Sequence, residues 1–296
     1  MKNKIYVHIA KHIKNNNRKN NMTKQVVFIS GGFSGVGRCI GDIFKDKGYH
    51  VYGTSRKVTD IENEKWIFKS TKNNGFLRII PMDICQEESV QQAIQYVFEK
   101  EQQIDILINN SGIVTAGAIE DITDQEAFHQ FNTNFFGHHR VLRYVLPIMR
   151  KQNYGYIFNI SSVNGFITLP FQSMYCASKY ALESLTESLR IEVAPFNIKA
   201  ILIEPGDMKT DNTANRTFSK TQQAYQTRFQ HSMNIVGKNE QSGPTPIKVA
   251  QTILRTYQKK QNPIRIVIGW QYKLFYYAKK FLPSKLVEYV VQKLYS

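Results

Sequence analysis

A β-branched run that breaks into glycines and resumes with helical spacing limits this chain more than any other stretch. Gln25-Val26-Val27-Phe28-Ile29-Ser30 reads as a short buried strand, bounded by polar residues before it and glycine after it. It enters Gly31-Gly32-Phe33-Ser34-Gly35-Val36-Gly37, and then Arg38-Cys39-Ile40-Gly41-Asp42-Ile43-Phe44, whose apolar spacing is helical. Strand, glycine turn and helix N-terminus together form a phosphate cradle. Missing Cβ atoms let the backbone approach a pyrophosphate, and the free N–H groups and helix dipole favour its charge. The spacing is G-x-x-x-G-x-G rather than G-x-G-x-x-G.

Strand-like runs recur at 49–57, 76–80, 104–108, 156–162 and 198–203, with helical patterns between them. Repeated β–α units predict an α/β fold, a doubly wound parallel sheet of Rossmann-like type with helices on both faces. No internal repeat or interdomain linker is visible. The expected organisation is a basic, disordered tail over 1–21, a single domain over 22–244 with a substrate-covering segment at 211–243, and a basic, aromatic helical extension over 245–296.

The second strand ends in Ser55-Arg56-Lys57 with no acid. A dinucleotide lacking the ribose 2′-phosphate is usually read by Asp or Glu at this point, whereas a 2′-phosphate calls for arginine. NADP(H) is therefore expected in preference to NAD(H).

The candidate chemistry lies at Tyr175-Cys176-Ala177-Ser178-Lys179. Ser162 stands thirteen residues earlier, after the apolar run Tyr156 to Ile160. On a helix, Lys179 lies one turn beyond Tyr175 on the same face. A free phenol titrates near 10, and bringing it to ~7 takes roughly 4 kcal/mol of differential stabilisation. A lysine helped by a second positive charge is the expected source, and Ser162 is placed to hold a substrate oxygen. Three other Tyr/Lys pairs share the spacing (Tyr96/Lys100, Tyr276/Lys280, Tyr289/Lys293) but lack the serine and the strand.

With these residues in view, the chain resembles the short-chain dehydrogenase/reductase family over roughly residues 23–210. Ser30-Gly31 through Gly37 is similar to its cofactor glycine motif, including Ser34, Gly35 and Val36. Asp83, followed by Ile84, resembles the aspartate that meets the adenine. Asn109-Asn110-Ser111-Gly112 resembles Asn-Asn-Ala-Gly. Asn134, Ser162, Tyr175 and Lys179 match the catalytic tetrad, and Pro205-Gly206-Asp207-Met208-Lys209-Thr210 matches the motif at the nicotinamide end. The resemblance implies that Tyr175 is the acid/base, Lys179 its electrostatic partner and ribose anchor, and Ser162 the substrate-oxygen ligand. It implies that Asn134 holds a relay water, and that hydride passes between the nicotinamide and a carbonyl carbon. Family members usually form dimers or tetramers through two long helices, here those after Asp124 and around Tyr175.

Charge separates the chain into three parts. Of the net +16, residues 1–21 hold six Lys/Arg and no acid, and residues 245–296 hold ten Lys/Arg and one acid. The body is close to neutral, and no nucleic-acid module appears, so nucleic-acid binding is not expected. The first tail is also compatible with an upstream extension of a start at Met22. Cys39, Cys85 and Cys176 are too few and scattered for a disulfide framework or a metal site, which points to a reducing, cytoplasmic setting. No metal is expected. At the other end, Trp270 to Pro283 and Ser284 to Tyr295 read as two helices too short to span a bilayer. Three roles fit them: a cover on the body or a partner subunit, a wall over the substrate, or a peripheral membrane contact.

Phe166, Leu169, Phe171 and Met174 are the expected pocket wall, with Phe218, Tyr225, Phe229 and Met233 forming one helical face above it. An apolar carbonyl or alcohol follows as substrate, steroid-, retinoid- or keto-lipid-like. The alternatives are a 3-oxoacyl reductase on carrier-linked chains and a non-catalytic cofactor-binding regulator.

Overall fold

The computed structural model describes residues 24–209, 216–220 and 222–295. The tail at 1–21 and Thr210 lie outside the described residues, as does most of the stretch that leads from Thr210 to Arg216. Chain order gives β1 (Val26–Ser30), α1 (Gly35–Lys45), β2 (His50–Ser55), β3 (Ile67–Lys69), β4 (Phe76–Pro81), α2 (Glu87–Glu101) and β5 (Ile106–Asn109). Then come β6 (Thr115–Ala116), α3 (Asp124–Phe131), a π-helical turn at Asn132–Phe136, α4 (Gly137–Gln152), β7 (Gly155–Ile160), α5 (Ser173–Val193) and β8 (Ile198–Pro205). The chain closes with β9 (Thr217–Phe218), α6 (Gln223–Ser242), α7 (Ile247–Gln258), β10 (Arg265–Ile268), α8 (Trp270–Phe281) and α9 (Ser284–Tyr295).

One sheet runs in the order β10-β8-β7-β5-β1-β2-β4-β3, parallel except for the antiparallel edge strand β3. The order reverses at β1, whose neighbours are β5 and β2, and the carboxyl ends there form the crevice in which such sheets bind ligands. Both faces are covered, which is why the strands read as nearly continuous apolar runs. Val27, Ile29, Val51 and Phe158 pack beneath α1 and α7, while Val26, Phe28, Leu107 and Ile157 pack against α2, α4 and α5.

The expected boundary at 244 does not hold. Helix α7 buries Val249, Ala250 and Ile253 in the first of these cores, and β10 pairs in parallel with β8 from Arg265↔Leu202 to Ile268↔Pro205. Residues 247–268 thus complete the sheet and its cover. The run Arg265-Ile266-Val267-Ile268 carries the strand signal, masked by the basic residues around it. Among the described residues, α8 and α9 stand as an addition.

Candidate active site

At the carboxyl end of β1, Gly31 takes φ +69° and Gly35 φ +55°, values that favour glycine. A Cβ on Gly37 would stand 2.1 Å from the Gly31 carbonyl oxygen, so α1 starts directly against the turn. Ser34 caps α1 by its backbone conformation alone, without a side-chain hydrogen bond. A Cβ on Gly35 would meet open space. The first-turn N–H groups of an eleven-residue helix therefore face room for an anion, and these residues fit a dinucleotide's pyrophosphate.

Ser30 is fully buried and acts from behind this turn. Its Oγ accepts the backbone N–H of Asn110 at 2.9 Å and of Ser111 at 3.1 Å, and Asn110 Nδ2 donates to the Gly31 carbonyl at 2.9 Å. Through these bonds Ser30 holds the β1 and β5 ends together. Ser111 carbonyl in turn accepts from His138 Nε2 at 2.8 Å. Asp83 Oδ1 accepts the Cys85 N–H at 2.9 Å in the turn after β4, and Ile84 is buried against Gly137. Beyond β2, Ser55 Oγ accepts the Lys57 N–H, and Arg56 is exposed.

Asn134 lies on the π-helical turn between α3 and α4, a local widening that recurs at functional sites. Its Oδ1 accepts the Ile113 N–H at 2.9 Å. Its Nδ2 donates to the Ile113 carbonyl at 3.0 Å and to Ser178 Oγ at 3.3 Å. A Cβ on Gly112 would stand 3.6 Å from Asn134 Oδ1 and 4.0 Å from Lys179 Nζ. Two distant motifs and helix α5 thus meet within a few ångströms. Lys179 is buried, and its Nζ donates to the Ile160 carbonyl at 2.8 Å, 5.8 Å from the Tyr175 ring centre. Burial lowers the ammonium to about 8, with Glu183 pulling the other way.

Ser162 follows β7 and caps the turn Val163–Gly165, accepting the Asn164 N–H at 3.1 Å. Burial pushes the Tyr175 phenol up to about 12; its hydrogen bond with Ser162 opposes that shift. The lowering expected from sequence calls for a lysine helped by a second positive charge; with Lys179 alone among the described residues on this side of the site, burial prevails. Burial thus favours the protonated form of the phenol.

Behind this group stands a second cluster without a local sequence signal. Tyr175, Lys179, Glu183 and Glu187 follow one another at four-residue steps on α5. Ser161 Oγ donates to Glu183 Oε1 at 2.6 Å, and Arg265 of β10 reaches Glu183 at 2.9 Å, Glu204 of β8 at 2.8 Å, and Glu187. Burial and then the charge of Glu183 hold Glu204 well above the usual carboxylate range. The pair shares its negative charge, and Arg265 neutralises it.

On the substrate side, Phe171 adopts φ +62° and turns its ring to Phe229 (5.5 Å between centres) and Tyr225 (6.4 Å) of α6. Phe218 meets Phe229 at 6.0 Å, but from β9, which pairs with β6, and not from the helix itself. Leu169 and Met174 are half-buried beside Tyr175 in sequence. Phe166, expected in the pocket wall, is buried edge-on against Tyr276 of α8, 5.2 Å away. Cys176 is buried as helix packing, and burial raises its thiol to about 11. Arg216, the buried cation of this region, is paired with Glu240 at 2.6 Å. Helix α8 closes the far end: a Cβ on Gly206 would stand 1.9 Å from the Tyr272 ring, and Tyr272 OH donates to Asp207 Oδ2 at 2.6 Å. Met208 packs on the core beneath α7, and Pro205 ends β8.

Comparison with known proteins agrees with this geometry. The family model for short chain dehydrogenases matches residues 25–221. A 3-ketodihydrosphingosine reductase of Bacteroides thetaiotaomicron is 36% identical over 279 residues, covering 93% of this chain and 99% of its own. A short-chain dehydrogenase from Streptomyces avermitilis superposes with TM-score 0.77 at 30% identity, over 86% of this chain and 92% of that one. ElxO with NADP bound gives TM-score 0.68 at 29% identity, over 84% and 98%. The glycine turn, the Asn134–Ser162–Tyr175–Lys179 group and the sheet order thus have one origin: the chain belongs to the short-chain dehydrogenase family of oxidoreductases.

Proposed function

We propose that this protein is an NADPH-dependent reductase that converts the ketone of a long-chain lipid, of the 3-ketodihydrosphingosine kind, to a secondary alcohol. The observation that carries the chemistry is the Tyr175 phenol, hydrogen-bonded to Ser162 with Lys179 one turn on along α5; burial favours its protonated form, the state needed to give a proton to a carbonyl oxygen. The bound dinucleotide supplies the hydride. Ser162 donates to the carbonyl oxygen and Tyr175 transfers its proton there as negative charge develops, so that one hydride and one proton yield the alcohol. Lys179, charged at neutral pH and fixed on Ile160, favours the phenolate left behind, which regains a proton from solvent. Asn134 keeps the Ile113 and Ser178 segments in register around it.

Support for the lipid comes from the apolar lining of Phe171, Tyr225 and Phe229, from the internal pairing of Arg216, and from the long match to the Bacteroides reductase. Support for NADPH comes from Arg56 at the end of β2, without an acid beside it, and from the NADP-bound relative. The test is oxidation of NADPH and NADH by purified protein with 3-ketodihydrosphingosine, a carrier-linked 3-oxoacyl chain and a retinoid aldehyde. Turnover is expected with NADPH and the long-chain ketone, and Tyr175→Phe is expected to lower kcat by about 10²- to 10⁴-fold. Preference for NADH, or for the carrier-linked chain, would overturn the corresponding half of the reading. A Tyr175→Phe protein of undiminished kcat would overturn the mechanism.

A further inference from the structure

Helices α8 and α9 carry their apolar residues on the wrong side for a soluble cover. The inner face of α8 is already used: Tyr272 lies on Gly206 and Asp207, Tyr276 on Phe166, and Lys279 reaches the Phe166 carbonyl and Tyr180 OH. Yet Trp270, Leu274, Tyr277 and Phe281 recur at steps of four, three and four along the outer face, with Trp270 77% and Phe281 82% exposed. Helix α9 repeats the pattern with Leu286 and Leu294 facing out. A helix that turns an apolar stripe to solvent needs another medium there.

Charge identifies that medium. Residues 270–295 hold five lysines, Lys273, Lys279, Lys280, Lys285 and Lys293, against one acid, Glu288. Lys279 is engaged inward; the other four are exposed, Lys280 with its ammonium 4.6 Å from the Tyr276 ring centre. A second copy of this face would bring lysines against lysines, whereas anionic headgroups complement them. No helix among the described residues is long and apolar enough to cross a membrane, so the contact is one of lying on the surface.

We propose that the outer face of α8 and α9 docks on an anionic lipid surface, aromatic and leucine side chains in the interface and lysines among the headgroups. The docking goes beyond the reaction proposed above and does not depend on it, since its residues are outside the Tyr175 group. Its inner face closes the Gly206–Asp207 end of the site, so docking sets that end against the bilayer.

The test is co-sedimentation of the full chain with vesicles of phosphatidylcholine alone and of phosphatidylcholine mixed with phosphatidylglycerol. Binding is expected to the mixed vesicles, weakening with salt, with a blue shift of Trp270 emission in a Trp66→Phe background. Leu274→Asp with Phe281→Asp is expected to weaken it by about tenfold or more, with NADPH turnover on a short soluble ketone unchanged. Lys280→Glu with Lys285→Glu is expected to abolish the preference for anionic vesicles. A wild-type protein that stays in solution with the mixed vesicles overturns the proposal, as does a doubly acidic variant that binds as tightly. So does a double variant whose main effect is to split an oligomer in gel filtration, which would assign the face to a second copy.

Discussion

At the cofactor end, Ser30, Gly31, Asn110 and Ser111 exchange hydrogen bonds of 2.9–3.2 Å between two strand ends, and His138 pins Ser111 from below. At the substrate end, Phe171, Phe218, Tyr225 and Phe229 meet only ring to ring, at 5.5–6.4 Å between centres. The difference suits the ligands of the proposed function. A dinucleotide has fixed charges and edges, which directional bonds on a rigid sheet can match. The alkyl chain of the proposed lipid has neither, and non-directional contacts on a covering helix would accommodate it. Changes at the first end should therefore alter stability and chemistry together, whereas changes at the second should alter substrate affinity alone.

The largest effect is expected at the strut behind the catalytic helix. Replacing Arg265 by methionine leaves Glu183 buried beside a protonated Glu204 without its ion-pair partner, with only the Lys179 charge one turn away to offset it. Breaking a buried pair in this way costs about 3–5 kcal/mol, readable as a shift in the denaturant midpoint at constant slope. Glu204→Gln, which mimics the protonated acid, should cost less than about 1 kcal/mol. Equal losses for the two variants would mean that Glu204 is ionised and that the strut is a full salt bridge. Because Glu183 also accepts from Ser161, next to Ser162, kcat should fall with Arg265→Met even where the protein stays folded.

Next in size is an acid sensitivity of the cofactor end. Burial first, and the Lys179 charge second, depress His138 to about 3. The folded state holds this imidazole neutral while the unfolded chain, with its ordinary value near 6.5, takes up a proton. The contribution is complete above pH ~6.5 and is lost as pH falls from there toward about 3, at up to ~1.36 kcal/mol per unit. His138→Gln retains a donor for the Ser111 carbonyl and should flatten the stability profile between pH ~6.5 and ~5, above the main carboxylate range. An unchanged slope would assign that sensitivity to other groups.

These two predictions also show what the sequence made legible. The glycine turn and the Ser162–Tyr175–Lys179 spacing are local, because strand, turn and helix each write their period within a dozen residues. Arg265 meets Glu183 and Glu204 across separations of 82 and 61 residues, and nothing near Arg265 marks it as the partner of an active-site helix. The same limit hid β10, a strand of four residues in a basic stretch that is recognised only when β8 offers it an edge. Phe166 illustrates a third case. Its apolar character was evident, but whether it turned toward substrate or toward Tyr276 depended on α8, more than a hundred residues away. Phe171 meets Tyr225 and Phe229 of α6, yet its left-handed backbone, which aims the ring there, has no glycine or asparagine to announce it.

The smallest effect is expected at the substrate end and is the sharpest test of the contrast. Phe229 is half-buried on the inner side of α6 and touches Phe171 and Phe218 without a hydrogen bond to either strand end. Phe229→Ala should leave the denaturant midpoint nearly unchanged and raise KM for a long-chain ketone by about three- to tenfold, roughly 1 kcal/mol, with kcat preserved. For a short ketone that does not reach α6, KM should not move. A parallel loss on both substrates, or a fall in kcat, would mean that the aromatic cluster orders the Tyr175 loop through the Phe171 backbone. The substrate end would then be as rigidly built as the cofactor end, and the division between directional and non-directional recognition would fail for this enzyme.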